Sequence, residues 1–185
     1  QALLKSQHLE IIWEYSPSHM EHEQLIPGVL KSLQLILSIA NGVIISYTRQ
    51  ERLEFVQHLT RFGIVNNNMF DADAIHTVGT NGKKSREAKA EAIQKIYGEK
   101  IKLQKASGLK PMMVGDSITD MKAAFDSCLD FVGLTETGKS NSDEFHEAFE
   151  AISLSHPGLT MTLFPSLAHN DCIDFVMEEA NKQPA

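Results

Sequence analysis

Cysteine is scarce. Only Cys128 and Cys172 occur in 185 residues, far apart and in no CxxC pair. There is no disulfide framework, and the pattern fits a reducing, cytoplasmic setting. Clustered positive charge is missing as well. Lys and Arg number 17 against 24 Asp and Glu, for a net charge of -7. The cations are scattered, so the attraction to phosphate backbones that nucleic-acid binding needs has no evident source. Long apolar runs are absent too. The most hydrophobic stretch, residues 33 to 45, is broken by Gln34, Ser38 and Asn41-Gly42, too short and interrupted for a bilayer. The opening residues lack the basic start and continuous apolar core of a secretory leader, and no internal repeat or low-complexity linker occurs.

What is present is ordinary globular material, 42% hydrophobic and 22% charged, enough for one domain with a real core and a small appendage. Leu3, Leu4, His8, Ile11, Ile12 and Tyr15 recur at helical spacing, so residues 3 to 15 read as an amphipathic helix closed by Ser16-Pro17-Ser18. Pro27 suits the start of a second helix, whose apolar face runs from Val29 to Ala40 before Asn41-Gly42 stops it. The period then changes. Val43-Ile44-Ile45-Ser46 is short, β-branched and continuously apolar, the pattern of a strand buried on both faces.

Helical spacing returns from Gln50 to Phe62, with Gly63 as its stop, and is followed by a weak strand at residues 74 to 78 and a strong helix from Ser85 to about Gly98. Met112-Met113-Val114 and Asp130-Phe131-Val132-Gly133 read as further strands around a helix at residues 119 to 125. In the tail, residues 144 to 152 and 172 to 180 read as helices, with Asn170 or Asp171 capping the last, and residues 161 to 163 as a short strand. Strands alternating with helices at this spacing imply an α/β fold, a doubly wound parallel sheet covered on both faces.

The chemistry concentrates in Met113-Val114-Gly115-Asp116-Ser117-Ile118-Thr119-Asp120. Ligands of open parallel sheets gather beyond the carboxyl ends of the strands, where Asp116 falls. Gly115 is expected to let the backbone turn sharply there. Asp120 follows one helical turn later, on the same side. Two carboxylates so placed suit Mg²⁺, which takes few protein ligands and keeps several waters. An Asp at a strand end and another in a first helical turn are also common without a metal.

This segment resembles the fourth motif of the haloacid-dehalogenase-like hydrolases, GDxxxD followed by small residues, here Met121-Lys122-Ala123-Ala124. Pro27-Gly28-Val29 and then Gly42-Val43-Ile44-Ile45-Ser46 resemble the second motif, a buried strand ending in Ser or Thr. Lys89-Ala90-Glu91-Ala92-Ile93 resembles the third, with its lysine near a helix start. All three occur in the family's order between Pro27 and Gly133. The resemblance implies a Mg²⁺-dependent phosphatase acting on a small phosphorylated metabolite. Ser46 would donate to a phosphoryl oxygen and Lys89 would set its ammonium against the phosphate. Asp116 and Asp120 would serve the metal directly or through water. Lys83 and Lys84 are alternatives to Lys89.

The family's first motif, an apolar strand followed by DxDxT or DxDxV whose first Asp attacks phosphorus, is not found ahead of Ser46. Asp71-Ala72-Asp73 follows no buried strand and stands after the second motif. The expectation is therefore a chain lacking its first strand and its nucleophile, begun inside a helical cap insert. Residues 1–25 would be the end of that cap and 26–185 the core. Gln1, no initiator residue, fits such a start. Without that strand, the strands ending at Ser46 and leading to Asp116 share no neighbour and leave backbone groups unpaired. Three rivals follow: a non-catalytic binding or regulatory relative, a metal-independent dehalogenase, and a complete enzyme with its nucleophile upstream. His19 and His22, with Glu21 and Glu23, read as an exposed polar connector. Substrate identity and oligomeric state have no signal in the sequence.

Overall fold

The computed structural model describes residues 9–14, 25, 27–48, 50–66, 69–79, 82–136 and 139–182. Six strands form one sheet: β1 (Glu10–Trp13), β2 (Asn41–Tyr47), β3 (Ile75–Val78), β4 (Met112–Gly115), β5 (Asp130–Leu134) and β6 (Met161–Phe164). Their spatial order is β3-β2-β1-β4-β5-β6, and every pairing is parallel. Six helices connect and cover them: α1 (Val29–Leu37), α2 (Arg52–Arg61), α3 (Ser85–Ala106), α4 (Ile118–Asp126), α5 (Ser142–Ser153) and α6 (Asn170–Ala180). The doubly wound α/β reading therefore holds. Among the described residues no helix is long and apolar enough to cross a membrane.

The largest correction concerns the start. Residues Glu10–Trp13 are a strand, not part of a helix, and they lie at the centre of the sheet between β2 and β4. Ile12 faces both Val43 and Met113 across the two ladders, and the Glu14 N–H donates to the Val114 carbonyl at 3.0 Å. The strand that the core was expected to lack is thus inside this chain, and a boundary at residue 25 does not separate sheet from appendage. Residues 1–8 and 15–24, where the rest of the expected cap helix falls, lie outside the described residues. The helical spacing misled because a strand buried on both faces carries no alternation of its own, and apolar residues upstream completed a false period.

Alternation along each strand divides the core in two. Ile11 and Trp13 of β1, with Ile44, Met112 and Val114, pack against Leu33 and Ile36 of α1, Phe55 and Leu59 of α2, and Val176 of α6. Ile12, Val43, Ile45 and Met113 face the other way, against Ile93 and Ile101 of α3, Met121 and Phe125 of α4, and Phe145 of α5. Gly42 has a packing reason. A Cβ there would fall 2.5 Å from Leu37, 2.9 Å from Phe70 and 3.1 Å from the Trp13 indole nitrogen. Helix α3 runs past Gly98 to Ala106. The last helix begins differently from expectation: its N-cap is His169, which makes no side-chain capping bond.

Candidate metal and phosphate site

Two central strands hand over to carboxylates at the same end of the sheet. After Trp13, β1 delivers Glu14, and after Gly115, β4 delivers Asp116. Since Ile12 faces α3, alternation sends Glu14 to that side as well. There it meets Lys89, which stands in the second turn of α3 and is buried. The Lys89 Nζ donates to Glu14 Oε1 at 3.1 Å and to Asp120 Oδ1 at 2.6 Å. The side chains of Lys89, Glu14 and Asp120 are only 5%, 2% and 1% exposed. Burial alone would lower the Lys89 ammonium, but the two carboxylates outweigh it and the net shift is upward.

Asp120 is fixed from three directions. Ser117 caps α4 by accepting from the Asp120 N–H at 3.2 Å, and its hydroxyl donates to Asp120 Oδ2 at 2.8 Å. Lys89 holds the other oxygen. Behind it lies Gly115, where a Cβ would fall 2.7 Å from Asp120 Cβ and 2.8 Å from Oδ2. The sharp turn expected of Gly115 is not its role, for it has no left-handed backbone. Its missing side chain is the space that the Asp120 carboxylate occupies. Asp116 is more open, at 18% side-chain exposure, with the Lys139 ammonium 3.8 Å away. Ser140, next to Lys139, accepts from the Ile118 N–H at 3.2 Å, tying the loop after β5 to the start of α4.

One carboxylate oxygen each from Glu14, Asp116 and Asp120 lie within 4.8 Å of one another. In an octahedron with bonds of about 2.0–2.1 Å, ligand oxygens stand about 3 Å apart when adjacent and about 4.2 Å when opposite. Small side-chain movements, or a water between one carboxylate and the ion, would close the set on a hard cation. The charge balance agrees. Three formal negatives face Lys89, with Lys139 at the rim, and a buried excess of negative charge is costly without a counter-ion. The residues present therefore fit Mg²⁺.

Of the residues expected to meet, Lys89, Asp116 and Asp120 come together, and Glu14, not anticipated, joins them. A strand run ending in an acid, Ile11-Ile12-Trp13-Glu14, was the signal that could have found it. Ser46 sits in β2, which pairs with β1 in register Trp13 to Ile44, so it lies nearer the same sheet edge. Its hydroxyl is fully buried and has no hydrogen-bond partner among the described residues, nor does it touch the cluster. Lys83 pairs instead with Glu91 at the surface, and Lys84 is an exposed N-cap of α3. Asp71 and Asp73 are exposed around a single 3₁₀ turn before β3. His19 and His22 lie outside the described residues.

No protein-family model matches the chain. No curated protein matches it either. Among solved structures it is similar to a 4-nitrophenylphosphatase from Thermotoga maritima, at 17% identity and a TM-score of 0.31, covering 95% of this chain and 74% of that one. A hypothetical protein from Pyrococcus horikoshii OT3 matches at 10% identity and a TM-score of 0.30, over 83% of this chain and 70% of that one. Superpositions this loose carry no functional argument. The chemistry has to be read from the residues themselves.

Proposed function

We propose that this chain is a Mg²⁺-dependent phosphohydrolase of the haloacid-dehalogenase-like kind, acting on a small phosphorylated metabolite, with Glu14 as its nucleophilic carboxylate. The observation that carries this reading is the convergence of Glu14, Asp116 and Asp120 around buried Lys89 at the carboxyl edge of a parallel sheet. Glu14 stands where a first-motif strand would deliver its Asp. Its carboxylate would bond to phosphorus as the ester oxygen leaves with the bonding electrons and takes a proton from water. A second water would then cleave the acyl-phosphate, returning Glu14 and releasing phosphate. Lys89 orients Glu14 and places a cation beside the phosphoryl oxygens. Ser46 is a buried donor without a partner, which a phosphoryl oxygen would satisfy. Asp116, with Asp120 behind it, would hold the metal, which when bound neutralises charge on the phosphoryl group.

A second reading rests on one departure. Where the family's pattern has two Asp residues, this chain has Glu14-Tyr15-Ser16, which favours a protein that binds phosphate and metal without turnover. Phosphate release from a panel of phosphomonoesters with Mg²⁺, repeated for Glu14→Gln and Asp116→Ala, separates the two. Loss of about 10²-fold or more in either variant supports the enzyme. Undiminished release in Asp116→Ala would sink the metal assignment, and saturable phosphate binding without release would favour the second reading.

A further inference from the structure

A cavity of about 220 Å³ opens at the opposite end of the sheet, between α6 and the amino ends of β4, β5 and β6. Strand β5 has five residues, so roughly 15 Å separate this cavity from the carboxylate cluster. Its walls combine apolar surface from Met112, Val132 and Phe175 with polar groups from Lys110, Thr162 and Glu179. Glu179 is 8% exposed. Its Oε1 accepts from Lys182 Nζ at 2.5 Å, and its Oε2 is buried without any hydrogen-bond partner. Lys110 is exposed and, among the described residues, has no ion pair. The other acid on the wall, Asp130, is already engaged, with Oδ1 accepting from the Thr160 N–H at 2.7 Å and its hydroxyl at 3.0 Å.

Two opposite charges line one cavity without meeting each other. We propose that the cavity binds a small zwitterion of the amino-acid type. The ammonium bonds Glu179, the carboxylate lies against Lys110, and an aliphatic side chain packs on Met112, Val132 and Phe175. The volume equals that of about seven liquid waters, which suits one such solute and is smaller than a drug-sized site. An anion would leave the buried Glu179 oxygen unsatisfied, and a simple amine would leave Lys110 unused. A purely apolar guest would seal an unpaired carboxylate oxygen, which is unfavourable.

The test uses the full chain with methyl-labelled methionines, titrated with L-leucine and followed at the Met112 methyl by NMR. A saturable Met112 shift is expected. Glu179→Gln and Lys110→Ala should each weaken it by roughly tenfold. L-leucinol, lacking the carboxylate, and 4-methylpentanoate, lacking the ammonium, should bind correspondingly less well. Binding should survive in Asp116→Ala, which makes the result independent of the phosphohydrolase reading. An unmoved Met112 signal up to the solubility limit of leucine would overturn the proposal, as would equal binding by leucinol or by Glu179→Gln. Should Glu179→Gln fail to fold by circular dichroism, Lys110→Ala and the two leucine analogues decide the matter.

Discussion

Replacing Lys89 with Met keeps most of the side-chain volume and removes the ammonium that two buried carboxylates share. Glu14 and Asp120 lie 3.1 and 2.6 Å from that ammonium, so the variant leaves both facing each other in a site almost closed to water. Breaking a buried pair in this way costs about 3–5 kcal/mol, a large part of the roughly 5–15 kcal/mol that holds an ordinary domain folded. For a chain of this length each kcal/mol moves the melting point by about 2–4 °C, so the expected fall is about 6–20 °C, measured by circular dichroism with EDTA present. Adding Glu14→Gln and Asp120→Asn to Lys89→Met should recover much of the loss, because the stranded charges go with the ammonium. Mg²⁺ should recover part of it in the single variant. The sign with pH is set by the upward shift of Lys89 from its ordinary 10.5. Its contribution is complete below pH 10.5 and is lost only as pH rises through the folded-state value. The gap between wild type and variant therefore persists through neutral pH and closes on the alkaline side. A Lys89→Met protein melting within 2 °C of wild type at neutral pH in EDTA, about the effect of one kcal/mol at most, would refute the arrangement.

Gly115→Ala should displace the Asp120 carboxylate, since the new Cβ would fall 2.7 Å from Asp120 Cβ. The expected cost is about 1–3 kcal/mol in urea unfolding, with weaker Mg²⁺ binding by calorimetry. Cys128 follows α4 with φ of 61°, a left-handed position that glycine adopts without strain. Cys128→Gly should therefore raise stability by about 1 kcal/mol in the same assay. Burial pushes the Cys172 thiol up to about 12, whereas Cys128 is exposed. A disulfide reagent should accordingly titrate one thiol in the native protein at neutral pH and two in denaturant.

The parts of the fold legible in the sequence were those whose local chemistry admits one interpretation. β2, β4 and β5 are short β-branched or Met-rich runs bounded by Gly or polar residues, and α3 has a long helical pattern beginning after Lys83-Lys84. Lys89, Asp116 and Asp120 were legible through spacing. Gly115 was recognised but assigned the wrong duty, because the need for an absent Cβ depends on where a side chain five residues later folds back. Nothing local distinguishes that from a glycine needed for its φ angle. The cavity under α6 could not be read at all. It depends on Lys110, Thr162 and Glu179 arriving together from three separate elements.

The failure at β1 is more instructive, because the pairing requirement behind it was sound. Strands ending at Ser46 and leading to Asp116 do need a common neighbour, and in the structure they have one, with Ile12 aligned between Val43 and Met113. The mistake was to look for that neighbour outside the chain, because the segment following it was required to read DxD. Four residues, Glu10–Trp13, are too few to override a helical spacing that surrounding apolar residues happen to continue. Once the sheet is closed, the carboxylate after the strand is Glu14, one methylene longer than Asp. Its reach is absorbed by Lys89, which holds it beside Asp120. A family pattern searched by residue identity misses such a site, whereas the pairing demands of β2 and β4 together with the unmatched charge of Lys89 point to a carboxylate at that place.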